Sequence, residues 1–426
     1  MLKKLIALGL SLSLIASLVG CNSKNKNTEA SLEGTEVTFW NSFTGADGDM
    51  LVKMVDKFNK ENKDGIKVKM DISSDFDSQL STAFAAGKGP TMILSSSAYR
   101  FKYGDYLQDI SDIFDKTGMD KSDFIQSYLD YCSDGKKSYF VPFQVVGYYM
   151  YWNKQLFKQA GLDPELPPKN WNEWQQYSSK LTDSSKNVYG SGISYDYAYQ
   201  IAHIMQRFGG LAVINDSGVW KAEFENNAGY EKFLNMYKEM VDKGYNPVEA
   251  DTDSMMSAGQ IGITVGGPWV TVGLDTAGID YGIGLIPEGD AGDMNSVEII
   301  GFGITTAASN TEKEAAYKFI EWWNTQDKEG SSPALEWSIQ NGFPAYSYSV
   351  QNNEKYKSNK KLDAMSKANP KAPTDFIVDS NFPGINSILT DTIPEMINSV
   401  AFGNSSVKDA LKKAQESAQT IISKYK

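Results

Sequence analysis

The chain has 426 residues, 41 of them basic and 53 acidic, for a net charge of −12. That balance argues against nucleic acid or anionic lipid as a partner. Two arginines, Arg100 and Arg207, leave few of the bidentate clamps that suit phosphate and carboxylate. Aromatic residues make up 12%, with 23 Tyr and 9 Trp. A surplus of Tyr and Trp over packing needs leans toward a ligand with apolar faces and polar edges.

Lys3 and Lys4 precede an uncharged, mostly apolar run over residues 5–19. At ~1.5 Å per residue, a helix of that length falls short of the ~30 Å hydrocarbon layer. Residues 1–20 therefore read as a secretory signal. Its end, Leu18-Val19-Gly20-Cys21, resembles a bacterial lipobox, which implies cleavage before Cys21 and acylation of that cysteine; ordinary cleavage is the alternative. The polar, aperiodic stretch that follows makes 21–35 a flexible linker. With Cys21 lipidated, Cys132 is left without a disulfide partner within the chain. Loss of Lys3 and Lys4 leaves 39 basic against 53 acidic residues, a charge near −14.

Strand and helix signals then alternate. Glu36-Val37-Thr38-Phe39-Trp40 reads as a strand, followed by a helix from about Asp47 with Leu51, Met54, Val55 and Phe58 on one stripe. A second strand alternates Ile66, Val68 and Met70. The spacing of Phe76, Leu80 and Phe84 predicts a helix over 75–86, and 91–94 after Gly89-Pro90 reads as a short buried strand. Later helices carry Phe233, Met236, Tyr237 and Met240, then Ala316, Phe319, Ile320 and Trp323. A last one follows the capping box Ser406–Asp409. Strands separated by helices imply parallel sheets covered on both faces.

One stretch, "GQIGITVGGPWV", runs an alternating strand (Ile261, Ile263, Val265) into Gly266-Gly267-Pro268 and then Trp269. Proline at a first helical position is ordinary strand-to-helix grammar. Trp269 at the mouth of that helix is either core filler or an aromatic platform open to a cleft.

Motifs for chemistry are sparse. His203 is the single histidine and cannot build the usual zinc sets alone. There is no Gly-x-Ser-x-Gly elbow. Gly87-Lys88 lacks the rest of a phosphate loop, and Asp47 and Asp49 do not continue as a calcium loop. No metal or cofactor is expected. Carboxylate pairs for glycoside hydrolysis are unreadable from sequence, which keeps a secreted carbohydrate-active enzyme as the rival class.

Four segments in order carry a resemblance: "VTFWNSFTGADGDMLVKMVDKFNKEN", "YYMYWNKQLFKQAGLDPELPPKNWNEW", "GQIGITVGGPWV" and "IIGFGITTAASNTEKEAAYKFIEWW". Together the chain resembles extracellular solute-binding protein family 1, the maltose- and multiple-sugar-binding lipoproteins of ABC importers, from about Val37 to the final helix. The resemblance implies a two-lobed, periplasmic-binding-protein-like α/β fold, each lobe a mostly parallel sheet flanked by helices. The hinge would have three crossings, near 144–147, 299–301 and 340–343. Lobe one would be 36–145 plus 301–341, and lobe two 146–300 plus 342–426.

The resemblance also implies a site. Trp269 would stack on a pyranose ring, faced by Tyr197 and Tyr199 from an aromatic loop. Trp40, Asn41 and Thr44 would contact ligand from lobe one. Ser95 and Ser96 stand where maltodextrin binders carry Trp and acidic residues, so the sugar would differ. Phe382 would offer a second platform. Trp171, Trp174, Trp322 and Trp323 read as structural. The implied partners are a carbohydrate and the permease subunits of an ABC transporter, with the membrane reached through the lipid anchor alone, no nucleic acid, and a monomeric receptor that performs no chemistry. "FWNSF" and "EWSIQNGFPAYSYSV" also resemble the branch that binds glycerol-3-phosphate and its diesters, the alternative ligand class.

Overall fold

The computed structural model describes residues 31–248, 251–291, 296–368, 374–375, 382–403 and 405–425. The expected signal 1–20, Cys21 and most of the 21–35 linker lie outside the described residues. Residues Leu32–Lys426 pack as one unit, and every contact below lies within it. Among the described residues no helix is long and apolar enough to cross a membrane.

The first strands and helices form where periodicity placed them. β1 (Glu36–Asn41), α1 (Ala46–Glu61), β2 (Lys67–Ile72), α2 (Phe76–Ala85) and β3 (Met92–Ser96) come in that order. Next come β4 (Phe140–Gly147), β5 (Tyr149–Asn153), α3 (Trp171–Leu181), β6 (Tyr189–Gly192) and α4 (Ala198–Arg207). The hairpin β7 (Val213–Asp216) and β8 (Val219–Ala222) leads to α5 (Ala228–Asp242), β9 (Ile261–Gly266) and β10 (Tyr281–Gly284). β11 (Ser296–Ile304), α6 (Asn310–Asn324), α7 (Pro333–Asn341), α8 (Lys360–Ala368) and β12 (Thr374–Asp375) follow. The last helices are α9 (Ile393–Ala401) and α10 (Val407–Ser423), the latter capped by Ser406, which accepts from the Asp409 amide.

Two main sheets result, each with helices packed against it. One has the order β12-β11-β3-β1-β2, with β4 also paired to β11; the other runs β10-β5-β9-β6. Among the described residues three of five pairings in the first sheet are parallel but only one of three in the second, which corrects the expectation of a mostly parallel sheet there. β1 is parallel to β2 and β3, but β11 lies antiparallel to both β3 and β4. In the second sheet β5 is antiparallel to β9 and β10, and β6–β9 alone is parallel. The reason is connectivity: β11 returns from the second sheet and enters the first from the opposite end.

Where the chain passes between sheets also differs from the expected positions. β4 stays in the first sheet through Gly147 and β5 begins at Tyr149 in the second, so Tyr148 alone separates them. β11 pairs in the first sheet over its whole length, so the boundary expected at 300/301 cuts a continuous strand. The Ala291 amide still donates to the Arg207 carbonyl on the second side. The boundary expected at 341/342 falls early as well. Ser347 bridges Phe124 and the Ser349 amide donates to Asp123, while α8 packs on β10 and Lys361 ion-pairs with Asp275. β12 makes a further visit to the first sheet.

Alternation along β1 turns Val37, Phe39 and Asn41 inward. Phe39 meets Phe302 and Phe319 at ring distances of 6.1 and 5.8 Å. Phe143 packs on Trp323 and Trp337 at 4.8 Å each, and the Trp337 indole donates to Gln144 at 2.8 Å. Truncating one of these buried rings to alanine costs about 3–5 kcal/mol. Trp171, Trp174 and Trp323 are likewise buried.

Candidate functional site

A cavity of about 400 Å³ opens beside the ends of β3 and β11. β3 brings Leu94, Ser95 and Ser96 to its wall, and β11 brings Glu298 and Ile300. Register explains the neighbours: Ser96 pairs with Ile300 and Ser95 with Gly301. Tyr199 reaches the same space from α4, where the Gln200 side-chain amide donates to the Val265 carbonyl of the second sheet, and Phe382 and Tyr425 close another side. Such a position at strand ends is where open α/β sheets hold ligands.

Electrostatics divide this wall. Burial pushes the Glu298 carboxyl above the usual carboxylate range, and a hydrogen bond with the Ser96 side chain pulls it partly back. Of the described residues that line the cavity, Lys102 is the one lysine or arginine, and it is ion-paired to Asp77 at 2.6 Å. Burial, and then the Glu298 charge, pushes the Tyr199 phenol up to about 12. The wall thus offers hydroxyls, a phenol and a carboxylate acceptor. Those groups suit hydrogen-bonding to a polyhydroxylated molecule, and among the described lining residues they leave an anion no unpaired lysine or arginine.

Beside the cavity stands an aromatic group. Trp269 is the N-cap residue of the helix Val270–Thr276, so Pro268 lies before the helix rather than at its first position. The indole lies against Gly267, where a Cβ would fall 2.1 Å from ring carbons; this close approach is why glycine stands there. The indole nitrogen donates to Asp253 at 3.3 Å. Burial raises the Asp253 carboxyl while that indole bond lowers it. Tyr148 meets Trp269 edge-on at 5.7 Å and stacks on His203 at 4.2 Å. The Tyr148 and Tyr197 hydroxyls are 2.9 Å apart, and Tyr197 lies 6.4 Å from Trp269. His203 is held neutral, chiefly by burial and then by Arg207.

The structure therefore brings Ser95, Ser96, Tyr199 and Phe382 to one cavity wall, and gathers Tyr197 and Trp269 into the adjoining group. Phe382 is fully buried, packed between Trp220 and Tyr425 at 5.4 Å from each, so it serves as wall rather than open platform. From the first loop it is Ser42 and Phe43 that line the cavity, in place of Trp40, Asn41 and Thr44. Asn41 shares the inward face of β1 and accepts from the Phe43 amide at 3.0 Å. Thr44 is exposed and Trp40 is half-buried against the core. Sequence reasoning missed Glu298 and Tyr148. Glu298 carried a signal, a lone acid in the apolar strand "VEIIGFGI"; Tyr148, among four aromatics in six residues, carried none.

Two sheet-centred halves with a polar and aromatic cavity at strand ends define a two-lobed binding protein. The chain belongs to the family of bacterial extracellular solute-binding proteins, whose profile matches residues 44–329. Among curated relatives, it is 26% identical over 332 residues to the sn-glycerol-3-phosphate-binding periplasmic protein UgpB of Escherichia coli (strain K12), covering 72% of this chain and 74% of that one. The protein of the same name from Shigella dysenteriae serotype 1 matches to the same extent. Solved structures share the fold. An ABC transporter solute-binding protein from Thermotoga lettingae, bound with alpha-D-tagatose, superposes with a TM-score of 0.73 at 23% identity, covering 91% of this chain and 100% of that one. The cyclic alpha-maltosyl-1,6-maltose binding protein from Arthrobacter globiformis gives 0.69 at 21% identity, with 92% and 99% covered.

Proposed function

We propose that this protein captures a neutral carbohydrate between its two lobes and delivers it to the permease of an ABC importer. It acts outside the cell as a monomer, tethered through acylated Cys21, and performs no chemistry. One observation carries the choice of ligand: the cavity wall combines Ser95, Ser96, Tyr199 and Glu298, while its lysine is already paired with Asp77. Carboxylate and hydroxyl groups hydrogen-bond to sugar hydroxyls, and aromatic faces such as Trp269 suit the C–H face of a pyranose. A phosphate would meet the Glu298 charge, and among the described lining residues the one lysine is already paired with Asp77.

The second reading, a glycerol-3-phosphate receptor, is favoured by the relatives named for that ligand. A thermal-shift screen separates the two, with D-glucose, D-galactose, D-tagatose, maltose, cellobiose and glycerol-3-phosphate as probes. A sugar at 100 times its dissociation constant adds about 2.7 kcal/mol of stability, a shift of several degrees. A shift with glycerol-3-phosphate alone sinks the carbohydrate reading. Hydrolysis of the disaccharides during incubation sinks the receptor reading altogether.

A further inference from the structure

We infer that Tyr148 is a positioning residue that sets the aromatic platform of the cleft relative to both sheets. The inference rests on the carbohydrate reading above. Tyr148 is the one residue between β4 and β5: Gly147 is paired with Val297 in the first sheet, and Tyr149 with Gly266 in the second. Its backbone is thereby fixed from both sides. Its buried ring is held by the stack on His203 at 4.2 Å and touches Trp269 edge-on at 5.7 Å.

The hydroxyl supplies direction. It lies 2.9 Å from the Tyr197 hydroxyl, and Tyr197 is the residue from which α4 starts. Tyr148 itself is absent from the cavity wall, which α4 reaches two residues later through Tyr199. Tyr148 can act on binding without touching the cavity, through Trp269 and Tyr197, which stand beside its wall. Burial keeps the Tyr148 phenol protonated at all ordinary pH, so the pair persists as a hydrogen bond between neutral hydroxyls. A residue that joins the sheet-to-sheet passage to two rings of the adjoining aromatic group ties the angle of that group to the arrangement of the lobes.

The test is a double-mutant cycle of Tyr148→Phe and Tyr197→Phe. Affinity is read by calorimetric titration with the tightest-binding sugar of the panel above, and Tm by melting. Tyr148→Phe keeps the ring and its stack and deletes the hydroxyl that meets Tyr197. We expect it to weaken binding about three- to tenfold, the worth of one such bond, with Tm nearly unchanged. In the Tyr197→Phe background the second substitution should have no further effect, because the two hydroxyls act as one unit. Tyr148→Leu, which also removes the stack, should weaken binding more than Tyr148→Phe. Unchanged affinity in Tyr148→Phe, or losses that multiply in the double variant, overturn the inference alone. If no sugar of the panel binds the unmodified protein, the proposed function falls and this inference with it.

Discussion

The indole nitrogen of Trp269 donates to the Asp253 carboxylate at 3.3 Å, which fixes the plane of the ring from its polar edge. Gly267 supports one part of the ring and Tyr148 meets it edge-on, and the side chain is only half-buried. Trp269→Ala should leave the fold intact and weaken sugar binding by roughly 2–4 kcal/mol, or about 30- to 1000-fold. Titration and melting of one variant decide the matter. A large fall in Tm with unchanged affinity of the folded fraction would make Trp269 core.

Gly267→Ala tests the same platform from beneath. The added Cβ would lie 2.1 Å from the indole, and the backbone there is outside the left-handed region, so displacement of the ring is the main consequence. Overpacking of this kind costs about 1–3 kcal/mol. The expected outcome is roughly a tenfold loss of affinity by titration, together with a shift in intrinsic tryptophan fluorescence. Full affinity in this variant would show that ring position does not matter.

Glu298 makes a pH prediction with a definite sign. Its folded-state pKa lies above the ordinary carboxylate value, chiefly through burial, so the native state binds a proton more readily than the unfolded chain. Stability therefore falls as pH rises from the ordinary value near 4.5 through the raised one. Glu298→Gln should flatten that slope, raise Tm at neutral pH and weaken sugar binding severalfold. Melts across the acid-to-neutral range, with titration at neutral pH, read both effects. An unchanged pH slope in the variant would remove Glu298 from the account of stability.

The acylation proposed at Cys21 bears on location and not on the cleft. Cys21→Ala should shift the protein from the membrane fraction to the medium, or leave it unprocessed, with sugar affinity of the soluble body unchanged. Two acyl chains are needed for stable anchoring. Unaltered fractionation of the variant would count against acylation.

Much of the fold was legible because its signals are local. Leu51, Met54, Val55 and Phe58 lie on one buried stripe of α1, and Phe76, Leu80 and Phe84 on one of α2. Strand direction was not legible. Nothing within "VEIIGFGI" says that it lies antiparallel between β3 and β4; that follows from pairing across 150 residues or more. From the first loop, Ser42 and Phe43 line the cavity where the resemblance implied Trp40, Asn41 and Thr44. The period-2 rule, applied from Val37 and Phe39, already sends Asn41 to the buried face. Ser95, Ser96 and Tyr199, named through the resemblance, line the cavity, whereas Tyr148 owes its place to the junction of two sheets.

The central claim is that the cleft takes a neutral carbohydrate rather than an anion. Calorimetric titration of the mature protein, with the sugar panel and with glycerol-3-phosphate, each at low and high salt, tests it most directly. Binding of an uncharged ligand is insensitive to screening, whereas binding of a phosphate to an acidic protein through a lysine weakens as salt rises. We predict a sugar that binds with the same affinity at both salt concentrations, and no measurable heat from glycerol-3-phosphate. Tight, salt-sensitive binding of glycerol-3-phosphate with no sugar bound would contradict the claim.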